Sequence, residues 1–592
     1  MTTVRGDKRT YRYLNLVESF RESGKVRHKV VARLGEADEM AQSGELARLI
    51  DALGAHLEGG RAQELSAEAA PSIGDVAAVH SYFLGLRLDE VFADLGTKRR
   101  SVHLSDTVFA MVANRLCAPS SKRRAILDWL GEDVALPEGV QSPSLDQCYR
   151  ALDALCAAKV DLETHCYSAL CNLTSLDLRL VCYDLTSTYV EGDVAPSVRF
   201  PSKAFGYSRD KRDDRPQVVI GLLVTGDGIP IAHHVFAGNT NDASTLPAVM
   251  ADLQERFGVG RIALVADRGL ISEANLEAVA GAGFDHVIAT RLHRDATVGA
   301  VLELAAAKAT RWVKIDEHTE AAEITHDSRR YVVVDSTERH RRDDRRLQEL
   351  LSRTEDKLIA LAERVSSGRL VDPAKIGAAA DRILRDSGVG RCFTTIIGPA
   401  RFAWDYEQKA LHYETELLEG RYVLATSLDR KTASVTDIVR HYKALQRVER
   451  RFRVLKDFLA LRPVFHFTEN RVRGHIALCV LASVIEAVMG KDLAQAGVMD
   501  PELDDQAMTP RRALRTLARI RAVRLVGDNG VERRVVTKPS ALQARILDAL
   551  GVDTSTWHSR LQTSLHSAAL TLRDLRLSTT SCLGGDIISS EI

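Results

Sequence analysis

The hydrophobic period changes between Asp177 and Arg291, and that change limits the possible folds more than any other feature of the chain. Three runs, RLVCYDLTST, QVVIGLLVT and PIAHHVFAG, read as strands, the last two joined by the turn Gly226-Asp227-Gly228. A helix from Ala243 to Phe257, the strand RIALVAD, the helix SEANLEAVAGAG and the short strand DHVIAT follow. The order is β-β-β-α-β-α-β. It predicts an α/β domain with a mixed five-stranded sheet and helices on its faces.

Two of these strands carry an aspartate near the end of an apolar run, Asp184 in VCYDLT and Asp267 in ALVADRG. A buried, unpaired carboxylate costs several kcal/mol unless a cation or hydrogen-bond donors compensate. Taken singly, each reads as a strand-end residue capping the next turn. If the strands are neighbours, two like charges sit side by side, and a divalent metal between them is the economical explanation. Hard oxygen ligands of this kind suit Mg²⁺ or Mn²⁺.

The rest of the chain surrounds this block with other patterns. Residues 10–34 read as a hairpin turning at Ser23-Gly24-Lys25, with nine basic and three acidic residues up to Gly35. A solvated face and a phosphate-contacting arm both fit that charge. The stretch from Gly59 to Gly74 reads as a linker, and residues 75–176 as a helical domain whose segment SSKRRAILDWL starts a helix with basic residues. Residues 292–435 interrupt the α/β order with β-like RWVKIDEH and RYVVVDS and a charged helix carrying a stripe of Leu347, Leu351, Leu358, Leu361 and Val365. That stripe is expected to pack on the following PAKIGAAADRILRDS helix. The expected division is a basic hairpin at 1–40, helix and linker at 41–74, helical DNA-binding domain at 75–176, first core part at 177–291, insertion at 292–435, second core part at 436–499, and a helical region with tail at 500–592.

The start MTTVRGDKRTYRY has no apolar stretch of the kind a secretory signal needs, and the apolar run Ile476–Met489 is short and carries Glu486, so a cytoplasmic location and no membrane contact are expected. Nine cysteines without a C-x-x-C pair fit reduced core thiols. No G-x-x-x-x-G-K-[ST] sequence is present, which disfavours nucleotide-dependent chemistry.

A third acid is expected on the helix after the insertion. In HYKALQRVERRFRVLKDF, Tyr442, Glu449 and Lys456 lie seven residues apart, about two helical turns, and share a face if the helix is continuous. A solvated basic helix with Glu449 paired to Arg453 is the plainer reading. With YDLTS around Asp184 and D-R-G at Asp267, however, the chain resembles DDE transposases of bacterial insertion sequences, the group with a Y-(2)-R-(3)-E-(6)-K signature. GYSRDKRDDRPQVVIGLL, FAGNTND and RPVFHFTENRVRGHI add to the resemblance, which covers roughly residues 180–290 and 435–480. Leu445 departs from it, standing where the signature has Arg.

The resemblance implies a ribonuclease-H-like core, in which the first strand is central and the fourth lies parallel beside it. It implies Asp184, Asp267 and Glu449 as catalytic ligands of Mg²⁺ or Mn²⁺, and Tyr442, Arg453 and Lys456 as phosphate contacts. Cleavage of double-stranded DNA at element ends, strand transfer into target DNA and a homodimer on DNA follow as expectations. The protein would then be nucleoid-associated when DNA-bound. A nuclease on the same fold without strand transfer, or an inert DNA-binding derivative, are the alternatives. Trp404 in the insertion is a candidate to stack on a displaced base, against the plainer reading of a packed tryptophan.

Overall fold

The computed structural model describes residues 2–5, 10–22, 25–36, 39–40, 43–45, 65–98, 103–173, 180–192, 200–257, 263–266, 270, 273–290, 296–307, 310–503, 506–527, 532–554 and 557. Strands β1 (Thr2–Arg5), β2 (Thr10–Glu22) and β3 (Lys25–Glu36) form an antiparallel sheet, with β2 and β3 making the hairpin that alternation predicts. Its turn residues 23 and 24 fall outside the described residues. β4 (Leu65–Ala69) lies inside the expected linker but pairs with Ala522–Gly527, itself hydrogen-bonded to Glu532–Val536. Ala32 and Leu34 of the first sheet pack on Val523, Leu525 and Val535, so segments some five hundred residues apart share a small core.

The main sheet is built around β5 (Leu180–Tyr189). On one side β5 pairs antiparallel with β6 (Gln217–Thr225), which pairs with β7 (Pro230–Ala237). On the other it runs parallel to β8 (Ala263–Ala266), and β8 runs parallel to β9 (Asp285–Ala289). Every residue of β6 is buried, as a strand covered on both faces requires. Val181, Tyr183 and Leu185 of β5 enter a core with Val249 and Leu253 of the helix Leu246–Phe257. Cys182 faces the opposite core, with Leu445, Val448, Phe452 and the long helix Glu469–Gln495. The pleat of period two thus assigns successive β5 side chains to different layers.

The sheet does not stop at five strands. β10 (Trp312–Lys314), β11 (Thr319–His326), β12 (Arg329–Ser336) and, after the strands β13 (Phe393–Gly398) and β14 (Arg401–Tyr406), β15 (Arg421–Thr426) all come from the expected insertion. β15 pairs antiparallel with β9 and β12 with β15, giving a nine-stranded order β10-β11-β12-β15-β9-β8-β5-β6-β7. The reason is the free edge that β9 would otherwise present, with a row of unsatisfied N–H and C=O groups. Only the middle of the insertion forms its own layer: Leu347, Leu351 and Leu358 pack with Phe393, and Leu361 and Val365 with Ile376 and Ala380 of the helix Pro373–Ser387.

The helices of residues 75–173 join the same core as the long helix Glu469–Gln495. Gly474 is essential to this approach, because a Cβ there would lie 2.0 Å from the Leu152 carbonyl oxygen. The long helix is long and apolar enough to cross a membrane, yet 94% of its most apolar stretch is buried inside the protein. Its Glu486 is ion-paired to buried Arg451. Among the described residues the cysteines are free.

The basic helix start SSKRR is only partly a surface feature. Ser121 caps it, Arg123 and Arg124 are exposed, but Lys122 is buried with its Nζ 2.9 Å from His475 Nδ1 and 3.4 Å from His466 Nε2. Burial, with the nearby Arg115 charge, pulls the Lys122 pKa down from 10.5 to about 7. The unfolded chain therefore holds a proton between about pH 7 and 10.5 that the folded chain releases, so this site adds stability as pH rises across that window. Lys122→Met removes the titration. Melting temperatures of the two proteins should diverge between pH 7 and 10, the wild type gaining relative to the variant, and parallel curves would count against this burial.

Candidate active site

β5 is fixed by its neighbours before its acid is considered. Tyr183 is fully buried and its hydroxyl donates to Thr245 Oγ1 at 3.0 Å. Its ring lies over Gly221 of β6, where any Cβ would come within 2.6 Å of the Tyr183 oxygen. The next residue, Asp184, is half-buried and points to the other layer, the one that contains Cys182; its Oδ1 accepts the Leu185 N–H at 2.7 Å. In the parallel register Tyr183 is opposite Ala266, the last described residue of β8. Asp267, next in sequence, lies outside the described residues. Among the described residues no group of three or more His, Cys, Asp or Glu side chains gathers as a metal site.

The helix carrying the third expected acid is broken into pieces. Val435–Lys443 ends at Ala444, Leu445–Arg453 follows, and Val454–Phe458 widens into a π-helical turn. Leu445, Val448 and Phe452 bury one side of the middle piece, which packs directly on β5. Glu449, one residue past Val448, is exposed and has no ion-pair partner among the described residues, so the expected pair with Arg453 is absent. Arg453 is exposed. Tyr442 is half-buried with its ring 5.5 Å from that of Tyr422. Lys456, in the π-helical turn, is half-buried, with its Nζ 2.8 Å from Asp210. The seven-residue spacing therefore does not keep Tyr442, Glu449 and Lys456 in equivalent surroundings, because the interruptions change the rotation per residue.

Leu445 explains the departure from the signature: it is a core side chain, and a guanidinium there would be buried. Arg447 instead is exposed, with Asp227 of the β6–β7 turn 3.9 Å away. Trp404 is half-buried between Phe393 and Tyr406, ring centroids 5.7 and 6.0 Å away, a packed tryptophan of the insertion's small core.

The structure adds residues to which sequence reasoning gave no role. Asp210, in the GYSRDKRDDR loop, pairs with both Lys456 and Arg462. Arg209 donates its backbone N–H to Ser187 Oγ of β5 at 3.0 Å and pairs with Asp242 of FAGNTND at 2.7 Å. Glu469 accepts from the Ser202 N–H at 3.3 Å. Three motifs far apart in sequence thus close around the end of β5. Their clustered unlike charges were the available signal, but not which charges would pair.

Burial lowers the Lys456 pKa against the opposing pull of Asp210. Asp210→Asn leaves that half-buried cation without its carboxylate partner. It should lower stability by about 3 kcal/mol, read as a large drop in melting temperature. Glu449→Gln, at an exposed residue, should change stability by less than about 0.5 kcal/mol. Equal melting temperatures for Asp210→Asn and wild type would contradict the assignment.

Residues 1–64 match the profile described as IS1634 family transposase, N-terminal domain, and residues 176–485 match that described as Transposase DDE domain. No curated protein matches the sequence. Among solved structures, a cryo-EM piggyBac transposase synaptic complex with hairpin DNA overlaps at a TM-score of 0.30 and 10% identity, covering 82% of this chain and 78% of that one, a level that carries no argument. The DDE match spans more than half of the 592 residues and includes β5, β8 and the helix of Glu449, and on that ground the chain belongs to the DDE transposase family, as a DNA-cleaving transposase of a bacterial insertion sequence.

Proposed function

We propose that Asp184, Asp267 and Glu449 form the catalytic carboxylate set on a ribonuclease-H-like core, the five strands β5 to β9. The observation that carries this reading is the parallel pairing of β5 with β8, which sets Tyr183 opposite Ala266 immediately before the two aspartates in sequence. The packing of the Glu449 helix on the Cys182 side of β5 supports it. Asp184 and Glu449 suit Mg²⁺ or Mn²⁺ by donor type, since both ions prefer hard carboxylate oxygens. When bound, such ions lower the pKa of water or a 3′-hydroxyl and stabilise a leaving oxygen.

The chain's own contribution is positional. Tyr183 and Gly221 hold β5 in one register, and Arg209 anchors the following loop to Ser187. Arg453, exposed one turn beyond Glu449 on the same helix, is the phosphate contact of choice. Lys456 acts through Asp210, keeping the loop closed, and reaches a phosphate only if that pair opens. Tyr442 is assigned a weaker phosphate role, since its ring is engaged with Tyr422. The reaction proposed is cleavage of double-stranded DNA at the element's ends and attack of the freed 3′-hydroxyl on target DNA. Two ends call for two copies, so a homodimer on DNA is proposed, working in the cytoplasm at the nucleoid. Residues 1–40 and the helical region 75–176 are proposed as the DNA-binding parts, 292–435 as an insertion between the two core segments, and 500–592 as a supporting region.

Purified protein incubated with Mg²⁺ or Mn²⁺ and DNA carrying its own element's ends tests the reading. Asp184→Asn and Glu449→Gln should each lower end cleavage by at least about a hundredfold while the protein stays folded. Precut ends should be joined to target DNA by the wild type. Cleavage without joining would favour the nuclease alternative, and full activity of Asp184→Asn would refute the carboxylate assignment.

A further inference from the structure

A crevice of about 280 Å³ opens where three distant segments meet: the end of the helix Leu104–Cys117, the turn at 457–460 and the helix Pro510–Leu517. Its size approaches the lower end of the roughly 300–1,000 Å³ typical of ligand clefts. The walls are fixed before any ligand arrives. Leu116 and Leu514 belong to the main core, and Arg115 donates to the carbonyls of Leu459 at 3.2 Å and Ala460 at 3.1 Å. Phe458, Arg511 and Arg515 also line the crevice, with one carboxylate, Asp457, to which Arg462 donates at 3.0 Å.

Two arginines of this crevice lack a carboxylate. Arg511 and Arg515 are four residues apart, so they share one helix face, and both are exposed. Arg512 between them is held by Asp500 and Glu502, whereas Arg511 and Arg515 make no ion pair among the described residues. Arg511 also sits in the first turn of its helix, the end where the helix dipole disfavours a cation. Its guanidinium lies 5.5 Å from the Phe458 ring centroid, a contact that orients the charge without neutralising it. A preformed crevice with two uncompensated guanidinium groups selects an anion, and the fork of N–H donors on each matches phosphate oxygens. The helix of Glu449 leads to this place. Arg453 follows Glu449 by one turn and Asp457, on the crevice wall, follows by another; all three are exposed. The stretch from Glu449 to Asp457 spans about 12 Å, the axial length of about three or four nucleotides. We propose that Arg511 and Arg515 seat a backbone phosphate of the element's DNA end in this crevice, about three or four nucleotides from the cleaved phosphodiester, and so set how far the end advances toward the carboxylates. Its distance from the cut rests on the carboxylate reading; the phosphate seat itself does not.

The test compares the full chain with the double variant Arg511→Gln/Arg515→Gln on duplex DNA carrying the element's end, first without metal so that binding is read alone. The variant should melt with wild type, bind about tenfold more weakly, and show a slope of log affinity against log salt shallower by about one. A single methylphosphonate, which removes one phosphate charge, is then moved along each strand. At one or two adjacent positions near the cut it should weaken wild type by about fivefold and leave the variant unchanged, while at every other position the two proteins should respond alike. With Mg²⁺, saturating DNA should restore the variant's cleavage rate to within about twofold of wild type. Equal affinity and salt slope for the two proteins, or no methylphosphonate position at which they differ, overturns the seat. So does inorganic phosphate or a free nucleotide binding wild type but not the variant while DNA affinity stays equal, or a cleavage loss that saturating DNA does not restore. If wild type binds but cleaves no end, the carboxylate reading fails instead, and the methylphosphonate scan still decides whether a phosphate sits here.

Discussion

The register of β5 between β6 and β8 is the constraint on which the rest of this structure depends. Because side chains alternate across a strand, a slip of one residue would send Tyr183 toward the helix of Glu449 and Asp184 into the apolar layer with Val249. Two local features prevent it. Gly221 leaves space only for the Tyr183 ring, and Thr245 takes its hydroxyl. The tyrosine thus secures the position of the acid beside it.

From that strand the organisation spreads outward by satisfying edges and faces. β9 would end the sheet, and the hairpin strands of the insertion continue it instead. The Cys182 face is covered by the Leu445–Arg453 helix and by the long helix Glu469–Gln495, which the Leu145–Ala157 helix approaches closely at Gly474. Arg115, buried in that helical region, donates to the carbonyls of Leu459 and Ala460 in the turn that leads to Arg462. The helical region is therefore connected to the site through hydrogen bonds from the Arg115 side chain to that turn's carbonyls and not merely attached to its outside. A movement of those helices would be felt in the turn that positions Arg462 against Asp210.

Much of the core was legible in the sequence, and the limits have physical causes. The β-β-β-α-β-α-β order appeared because apolar runs of strand length alternate with helical periods, and the leucine stripe of the insertion appeared because a 30-residue helix repeats it clearly. RWVKIDEH and RYVVVDS were legible as strands, Thr319–His326 and Phe393–Gly398 were not, and membership of the main sheet was not legible for any of them, since pairing partners leave no local trace. The linker reading of Gly59 to Gly74 missed β4 for the same reason: Leu65–Ala69 has weak strand character and is held by Ala522–Gly527, far away in the chain. At the site, residue types and spacing singled out Asp184 and Glu449. The same spacing put Tyr442, Glu449 and Lys456 on one helix face, which a helix that tightens at Ala444 and widens after Arg453 does not keep. The Asp210 contacts could not be read, since nothing in a charge-rich loop tells which carboxylate will be buried.

The central claim is that three carboxylates, from β5, from the segment after β8 and from the Leu445–Arg453 helix, hold the same metal centre. The most direct measurement is Fe²⁺ substitution with ascorbate and peroxide, which cuts the polypeptide next to bound iron, followed by mass spectrometry of the fragments. Cuts near Asp184, Asp267 and Glu449 together, suppressed by excess Mg²⁺, are the predicted result. Cuts at one of these segments only, or cuts elsewhere that Mg²⁺ suppresses equally, would contradict it.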